Sequence, residues 1–430
     1  MKKLTLLFLF NFFLKNICFA YDPFGVYKNE GIASTTHFEI HWEKDNADVN
    51  YSPNVWIDKV KLYLEDAWNF QTPTYGTPPG TPTNKIRIDI WNHSDYGCTA
   101  WGSPPSIEID NGYVGFTRLG EVNLKITIAH EFFHCIQQRY YLSEIAFRGQ
   151  HVWFREGTAT WMEDKMYTDI NSYLDYADSF LSNPQTSLEI RNGGNDPYST
   201  VLFWMYLEQK YHGKIKDVLV NFKNNGNTSV LSAIGCALGD ADFGDNFKKL
   251  FKDFSLACYM KDDPVYGFTD DGASQLPDVE CVSPADDIDD YYIDTFDETT
   301  AKIIPKERTL NHLAASYVVV NKPSTLTEKT ILNVCTDGIA DTDWGFWAVK
   351  VLNDGTEQPE EITLEGAKFV GNKGYDNFGG SSPTDIKQIV LIPSRLRKIG
   401  TNEPYKYLAA ITPSYLKKAE IYQDGIKKYE

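Results

Sequence analysis

Basic residues are in short supply in this 430-residue chain: 41 Lys and Arg stand against 59 Asp and Glu, a formal net charge of -18. Such a surface repels phosphate backbones and anionic headgroups, so nucleic acid and membrane are excluded as partners on charge. Long apolar runs are scarce too. The one near the start, Leu4 to Leu14, is too short for a membrane span and is interrupted by Asn11 and closed by Lys15, and no later segment does better. No Cys-x-x-Cys pair occurs, which removes the common ligand set of a closed structural zinc site. No internal repeat is visible.

What is present at the start is Met1-Lys2-Lys3, the apolar run, and then Cys18-Phe19-Ala20. This is the layout of a secretory signal peptide, with cleavage expected after Ala20 and export to an extracellular or periplasmic space. Acylation at Cys18 is the weaker alternative, because Lys15 and Ile17 are poor flanks for that processing. Export leaves Cys98, Cys135, Cys236, Cys258, Cys281 and Cys335, an even set in an oxidising compartment. Cys258 and Cys281 are the expected disulfide pair, and Cys135, inside a helical pattern, the expected buried thiol.

The length and a hydrophobic fraction of 42% imply more than one domain. Strand patterns at Phe38–Trp42, Lys85–Trp91 and Ser106–Asp110, the last closed by Asn111-Gly112, flank a helical pattern over Val55–Phe70. A second helical pattern covers Asn123–Tyr141, and helical texture continues near residues 157–182, 198–212 and 244–260. Strands first and helices after indicate an α+β domain over residues 21–261. From 262 to 302 neither Lys nor Arg occurs before Lys302, while Asp recurs in pairs at Asp262-Asp263, Asp270-Asp271, Asp286-Asp287 and Asp289-Asp290. A solvated acidic connector is the expectation there. Ca²⁺ is the competing one, although no full Asp-x-Asp-x-Asp-Gly loop is present. Residues 303–430 return to short β patterns at Ala315–Val320, Thr330–Val334, Trp347–Val351, Ile386–Ile392 and Leu408–Ile411, which suggest a C-terminal β-sandwich.

The chemistry is concentrated in Ala129-His130-Glu131-Phe132-Phe133-His134, a His-Glu-x-x-His pattern on a helix. It sets two imidazoles one turn apart on one face, so both can reach a single Zn²⁺. Glu131 stands about 100° round the helix from His130, placed to act as general base on a metal-activated water instead of binding the metal. Five residues are a short pattern, and two helical histidines can equally serve buried hydrogen bonds, so a third ligand must decide. The metzincin continuation is absent, because Gln137 and Tyr140 occupy the positions of its Gly and His.

Downstream stands Trp153-Phe154-Arg155-Glu156-Gly157-Thr158-Ala159-Thr160-Trp161-Met162-Glu163, where Glu156 is the natural carboxylate for a His₂Glu site. The two segments together resemble the gluzincin metallopeptidases, especially aminopeptidases with Trp-Leu-Asn-Glu-Gly-Phe-Ala. The resemblance is closer to secreted bacterial metallopeptidase-like proteins with Trp-Phe-x-Glu-Gly-Thr-Ala-x-Trp and a β-rich C-terminal domain. It covers roughly residues 36–260 and implies a zincin-like fold, one catalytic Zn²⁺ on His130, His134 and Glu156, and Glu131 as base. Two departures limit it. Nothing here matches the Gly-x-Met-Glu-Asn segment of the aminopeptidases, so their specificity is not implied. Thr160 stands where thermolysin-like enzymes place an Asp that orients the first histidine, which leaves Glu163 as the candidate for that role.

An oxyanion donor is needed as well, and gluzincins take a Tyr or His from a later helix. Tyr198 occupies a comparable place, with His93, His151 and His212 as alternatives. The strand Ser106–Asp110 is expected to be the sheet edge to which an extended peptide adds. The function these features imply is a secreted zinc-dependent peptidase acting on a protein or peptide substrate. The rival is a secreted zinc-containing binding or adhesion protein with an inactive peptidase fold, and a zinc hydrolase of non-peptide bonds shares the same ligand set.

Overall fold

The computed structural model describes residues 27–116, 118, 120–149, 151–191, 196–281, 301–303, 306–321, 330–338, 343–362, 370–400, 403–413, 419–423 and 426–429. The expected signal peptide, Cys18 and the Asp pairs at 286–290 lie outside the described residues. The chain is α+β and divides into two compact units, Met1–Ala177 with Asn192–Asp242, and Asp178–Arg191 with Phe243–Glu430. Neither follows the expected limits at 261 and 303. The second unit begins earlier because the helix Asp245–Met260 and the segment 178–191 belong to it.

The first unit carries β1 (Glu30–Ser34), β2 (Phe38–Glu43), α1 (Asn54–Tyr75), β3 (Ile86–Trp91), β4 (Gly97–Ala100) and β5 (Ser106–Asp110). The sheet order is β1-β2-β3-β5-β4. Strands β2, β3 and β5 are parallel, while β1 and β4 pair antiparallel at the two edges. Register puts Phe38 beside Ile86 and Ile40, Ile88 and Ile107 side by side, so alternation yields one apolar face. Glu39, His41, Arg87, Asp89 and Glu108 take the other face, where Arg87 pairs with Asp89 at 2.8 Å.

Two helices cover the apolar face. Phe38 of β2, Trp68 of α1 and Phe132 of α2 (Glu121–Gln137) meet with ring centroids 5.7–6.1 Å apart, and Gln71 Nε2 of α1 donates to the Ala129 carbonyl at 3.0 Å. Helix α2 starts after Gly120 with Glu121 in its first turn, held by Lys59 at 2.6 Å, the sign a helix N-terminus favours. Almost every α2 residue from Asn123 to Gln137 is buried, so it runs through the middle of the unit. There follow α3 (Glu144–Gly149), α4 (Val152–Met166), α5 (Leu174–Leu181), whose residues from Asp178 belong to the second unit, the one-turn α6 (Asp196–Ser199), α7 (Val201–Lys210), α8 (Lys214–Asn224) and α9 (Val230–Ala237).

The second unit has α10 (Asp245–Met260) and the strands β6 (Ala301–Ile303), β7 (Lys306–Leu310), β8 (Ala314–Ala315), β9 (Val318–Asn321), β10 (Thr330–Gly338), β11 (Trp344–Leu352), β12 (Glu357–Glu361), β13 (Val370–Phe378), β14 (Ile386–Arg395), β15 (Glu403–Pro413), β16 (Ala419–Gln423) and β17 (Ile426–Tyr429). Nine strands form one sheet, in which β12-β11-β14-β13-β10-β15-β7 are neighbours and β8 and β9 pair with β14, and β17-β16-β6 form a second sheet. Leu310, Val318, Phe346, Ala348, Tyr375, Phe378, Ile389 and Leu391 belong to its apolar core.

Two expectations need correction here. The acidic connector is not a solvated linker over its described part: Phe268, Ala273, Leu276 and Val279 are buried within the second unit. Its Asp263 and Asp270 carboxylates accept local backbone N–H groups from Val265, Tyr266 and Gly272, the ordinary work of aspartate in turns. Cys258 and Cys281 are both free: Cys258 is buried on α10 and hydrogen-bonded with Tyr317, while Cys281 is exposed. Cys135 is a free buried thiol and Cys98 is disulfide-bonded. Among the described residues no helix is long and apolar enough to cross a membrane.

Candidate metal centre

Helix α2 presents His130 and His134 with ring centroids 4.6 Å apart and planes at 87°. Helix α4 brings Glu156 to them: its Oε2 lies 3.3 Å from His130 Nε2 and 3.1 Å from His134 Nε2. One ligand atom from each of the three residues lies within 4.8 Å of the others, and all three side chains are buried. The close approach of α4 to α7 depends on Gly157. A Cβ there would stand 2.1 Å from Thr200 Oγ1 and 2.8 Å from the Trp204 ring, which accounts for glycine directly after the glutamate.

The outer ring nitrogens report the chemistry of the site. His130 Nδ1 lies 2.7 Å from Glu163 Oε1, whose other oxygen accepts from Ser172 Oγ at 2.5 Å. His134 Nδ1 lies 2.7 Å from Gln137 Oε1, and the Gln137 amide nitrogen donates to the Arg155 carbonyl at 2.9 Å and to Thr158 Oγ1 at 2.8 Å. Each Nδ1 therefore faces an acceptor and carries a hydrogen, which leaves the Nε2 atoms directed at a carboxylate oxygen. Lone pairs cannot converge this way without a positive charge among them. Burial alone would lower the His130 pKa, but the hydrogen bonds with Glu156 and Glu163 outweigh it and raise the value to about 10, so these residues by themselves take up a proton. Burial pushes the Glu156 carboxyl up, and the Arg155 guanidinium and His134 overcome it and hold Glu156 well below the usual carboxylate range.

Two of the three edges of the donor set also fit a metal by size. Tetrahedral zinc with bonds of about 2.0–2.1 Å separates its ligand atoms by about 3.3 Å. The two Nε2–Oε2 distances, 3.3 and 3.1 Å, match that edge.

Glu131 is buried beside this centre, with Oε2 accepting from Thr99 Oγ1 at 2.7 Å. Thr99 lies on β4, and a Cβ at neighbouring Gly97 would be 2.7 Å from Thr127 and 3.0 Å from Glu131 Cγ, so the short strand runs tight against α2. Tyr198 of α6 is half-buried, with its ring 5.9 Å from that of His130 and stacked on Tyr176 at 5.2 Å. The Glu156 carboxylate, with burial, holds its phenol well above the ordinary value and therefore protonated. The three alternative histidines are engaged elsewhere or turned to solvent: His93 Nε2 is 3.6 Å from Glu108, His151 packs edge-on against Phe222, and His212 is exposed.

The expected peptide-adding strand needs correction. Ser106–Asp110 is interior, flanked by β3 and β4, and the edge belongs to β4. That strand escaped the sequence pattern because Gly-Cys-Thr-Ala is four residues without alternation. Thr99, Ser172 and Arg155 were likewise not singled out. Gln137 breaks the metzincin pattern in the sequence, and its place one turn past His134 is a usable signal for a partner of that ring.

A model of a family of unknown function, DUF6055, matches residues 22–221. No curated protein matches the chain. Among solved structures, a family GH115 4-O-methyl-alpha-glucuronidase with specificity for decorated arabinogalactans aligns at 9% identity and a TM-score of 0.15, over 78% of this chain and 54% of that one. The chain thus spans about half the length of that enzyme, and a likeness of this size carries no argument about fold or activity.

Proposed function

We propose that this chain is a secreted zinc-dependent peptidase, with a zincin-like first unit and a β-sandwich in the second. The observation that carries the reading is the convergence of His130 Nε2, His134 Nε2 and Glu156 Oε2, with both Nδ1 atoms held by acceptors. A zinc ion held by these three residues would supply a Lewis acid that acidifies water and polarises a carbonyl. Two histidines and one carboxylate leave a position open, which is the pattern of catalytic rather than structural zinc.

The chain's own groups would do the rest. Glu131 takes the proton of the attacking water and returns it to the leaving amine, with Thr99 fixing one carboxylate oxygen so that the other is free to act. Tyr198, kept protonated, donates to the oxyanion of the tetrahedral intermediate. The antiparallel edge strand β4 offers its outer backbone to an extended peptide, which places the scissile bond beside Glu131 by β-addition.

The purified chain should hold one zinc and cleave casein in a chelator-sensitive manner. Glu131→Gln should retain the zinc and lose cleavage by about 10²–10⁴-fold. Undiminished cleavage by that variant would remove Glu131 from its role. Bound zinc with no turnover on broad peptide libraries would overturn the peptidase reading in favour of a zinc-containing binding protein.

A further inference from the structure

We infer that Arg155 is a positioning residue of the metal centre: it occupies one oxygen of Glu156 so that only the other is offered to a metal. The inference rests on the zinc reading above and adds to it. Both Nε and Nη2 of Arg155 donate to the same oxygen, Glu156 Oε1, at 3.0 and 2.5 Å. The opposite oxygen, Oε2, is the one that faces the two histidines.

The contact is not a routine helix pair. Helical ion pairs join residues three or four apart, whereas neighbours in sequence point about 100° away from each other. Arg155 reaches its own neighbour because the guanidinium is anchored from outside α4. Nη1 donates to the Phe147 carbonyl, and the guanidinium carbon sits 5.0 Å from the Phe147 ring centroid. The Arg155 carbonyl in turn accepts from Gln137, the residue that holds His134. One residue thus links the carboxylate ligand to a histidine ligand.

A buried guanidinium is tolerated only when its charge is paired, and here the pairing falls on a metal-type ligand. An unrestrained carboxylate can meet a cation with one oxygen or both. With Oε1 saturated by two charge-assisted donors, Glu156 is confined to single-oxygen coordination, and its acceptor strength and direction are set before any metal arrives.

The test compares the full-length chain with Arg155→Met and Arg155→Lys, measuring zinc affinity by chelator competition and the visible absorption spectrum of the cobalt-substituted protein. Arg155→Met should bind zinc about 10–100-fold more weakly and alter the cobalt spectrum as Glu156 turns both oxygens inward. Arg155→Lys keeps the charge but not the paired donors, so it should recover part of the affinity and still show the altered spectrum. If Arg155→Met does not fold, the cobalt spectrum of Arg155→Lys decides alone. An unchanged cobalt spectrum, in whichever variant folds, overturns the inference while the zinc reading stands. Absence of zinc binding by the parent chain overturns both.

Discussion

The core of the second unit and the facing helices α2 and α4 of the first are both buried, yet they are built from opposite materials. Around Phe346, Val318, Ile389 and Leu391 the second unit buries hydrocarbon, which needs no partner to be stable inside. Between α2 and α4 the first unit buries His130, Glu131, His134, Arg155, Glu156 and Glu163, each of which must find a partner or suffer several kcal/mol of desolvation. An apolar seam would hold two helices together with less difficulty. The difference teaches that the polar seam serves something other than stability, and that its hydrogen bonds aim groups at one point.

The sharpest way to break this comparison is to damage the apolar side. Phe346→Ala should cost about 3–5 kcal/mol of stability, read as a lowered unfolding midpoint, while zinc stoichiometry stays at one. Loss of zinc with the fold intact would show that the centre depends on the second unit's core. The second test is the pH dependence of zinc uptake. With its pKa near 10, His130 carries in the metal-free chain a proton that zinc must displace, so the competing proton is fully present at pH 7 and lost as pH rises through that value. Apparent zinc affinity should therefore climb about tenfold per pH unit between 7 and 9. A flat profile in chelator competition would mean that His130 is already neutral. The smallest effect belongs to Glu163→Gln, where the amide oxygen can still accept from His130 Nδ1. Zinc affinity should fall by about tenfold with the unfolding midpoint nearly unmoved, and a large stability loss would make Glu163 a structural residue instead.

Much of the first unit was legible because its patterns are local. Alternation marked β2, β3 and β5, and the His-Glu-x-x-His spacing marks a helix and a face together. The helix end was less legible: the pattern runs to Tyr141, while α2 stops at Gln137 and the next residues turn to contact Asn227. The connector misled because repeated Asp reads as solvation, whereas the buried Phe268 and Leu276 between the acidic residues decide its packing. The thiols Cys258 and Cys281 misled for a related reason, since sequence proximity says nothing of which way a buried side chain points.

Sequence by itself determined that His130 and His134 share a helical face, that Glu131 stands beside them, and that Glu156 is the natural third carboxylate. These are short-range matters, governed by helical period and residue chemistry. Glu163 was already the sequence's candidate acceptor for the first histidine, and tertiary structure alone decided that Glu156 turns one oxygen to the histidines and the other to Arg155, that Gln137 holds the outer nitrogen of His134, and that β4 rather than β5 forms the edge beside Glu131. Those choices depend on how α4 and the sheet pack against α2, and such packing is set by contacts between residues far apart in the chain, which no local pattern records.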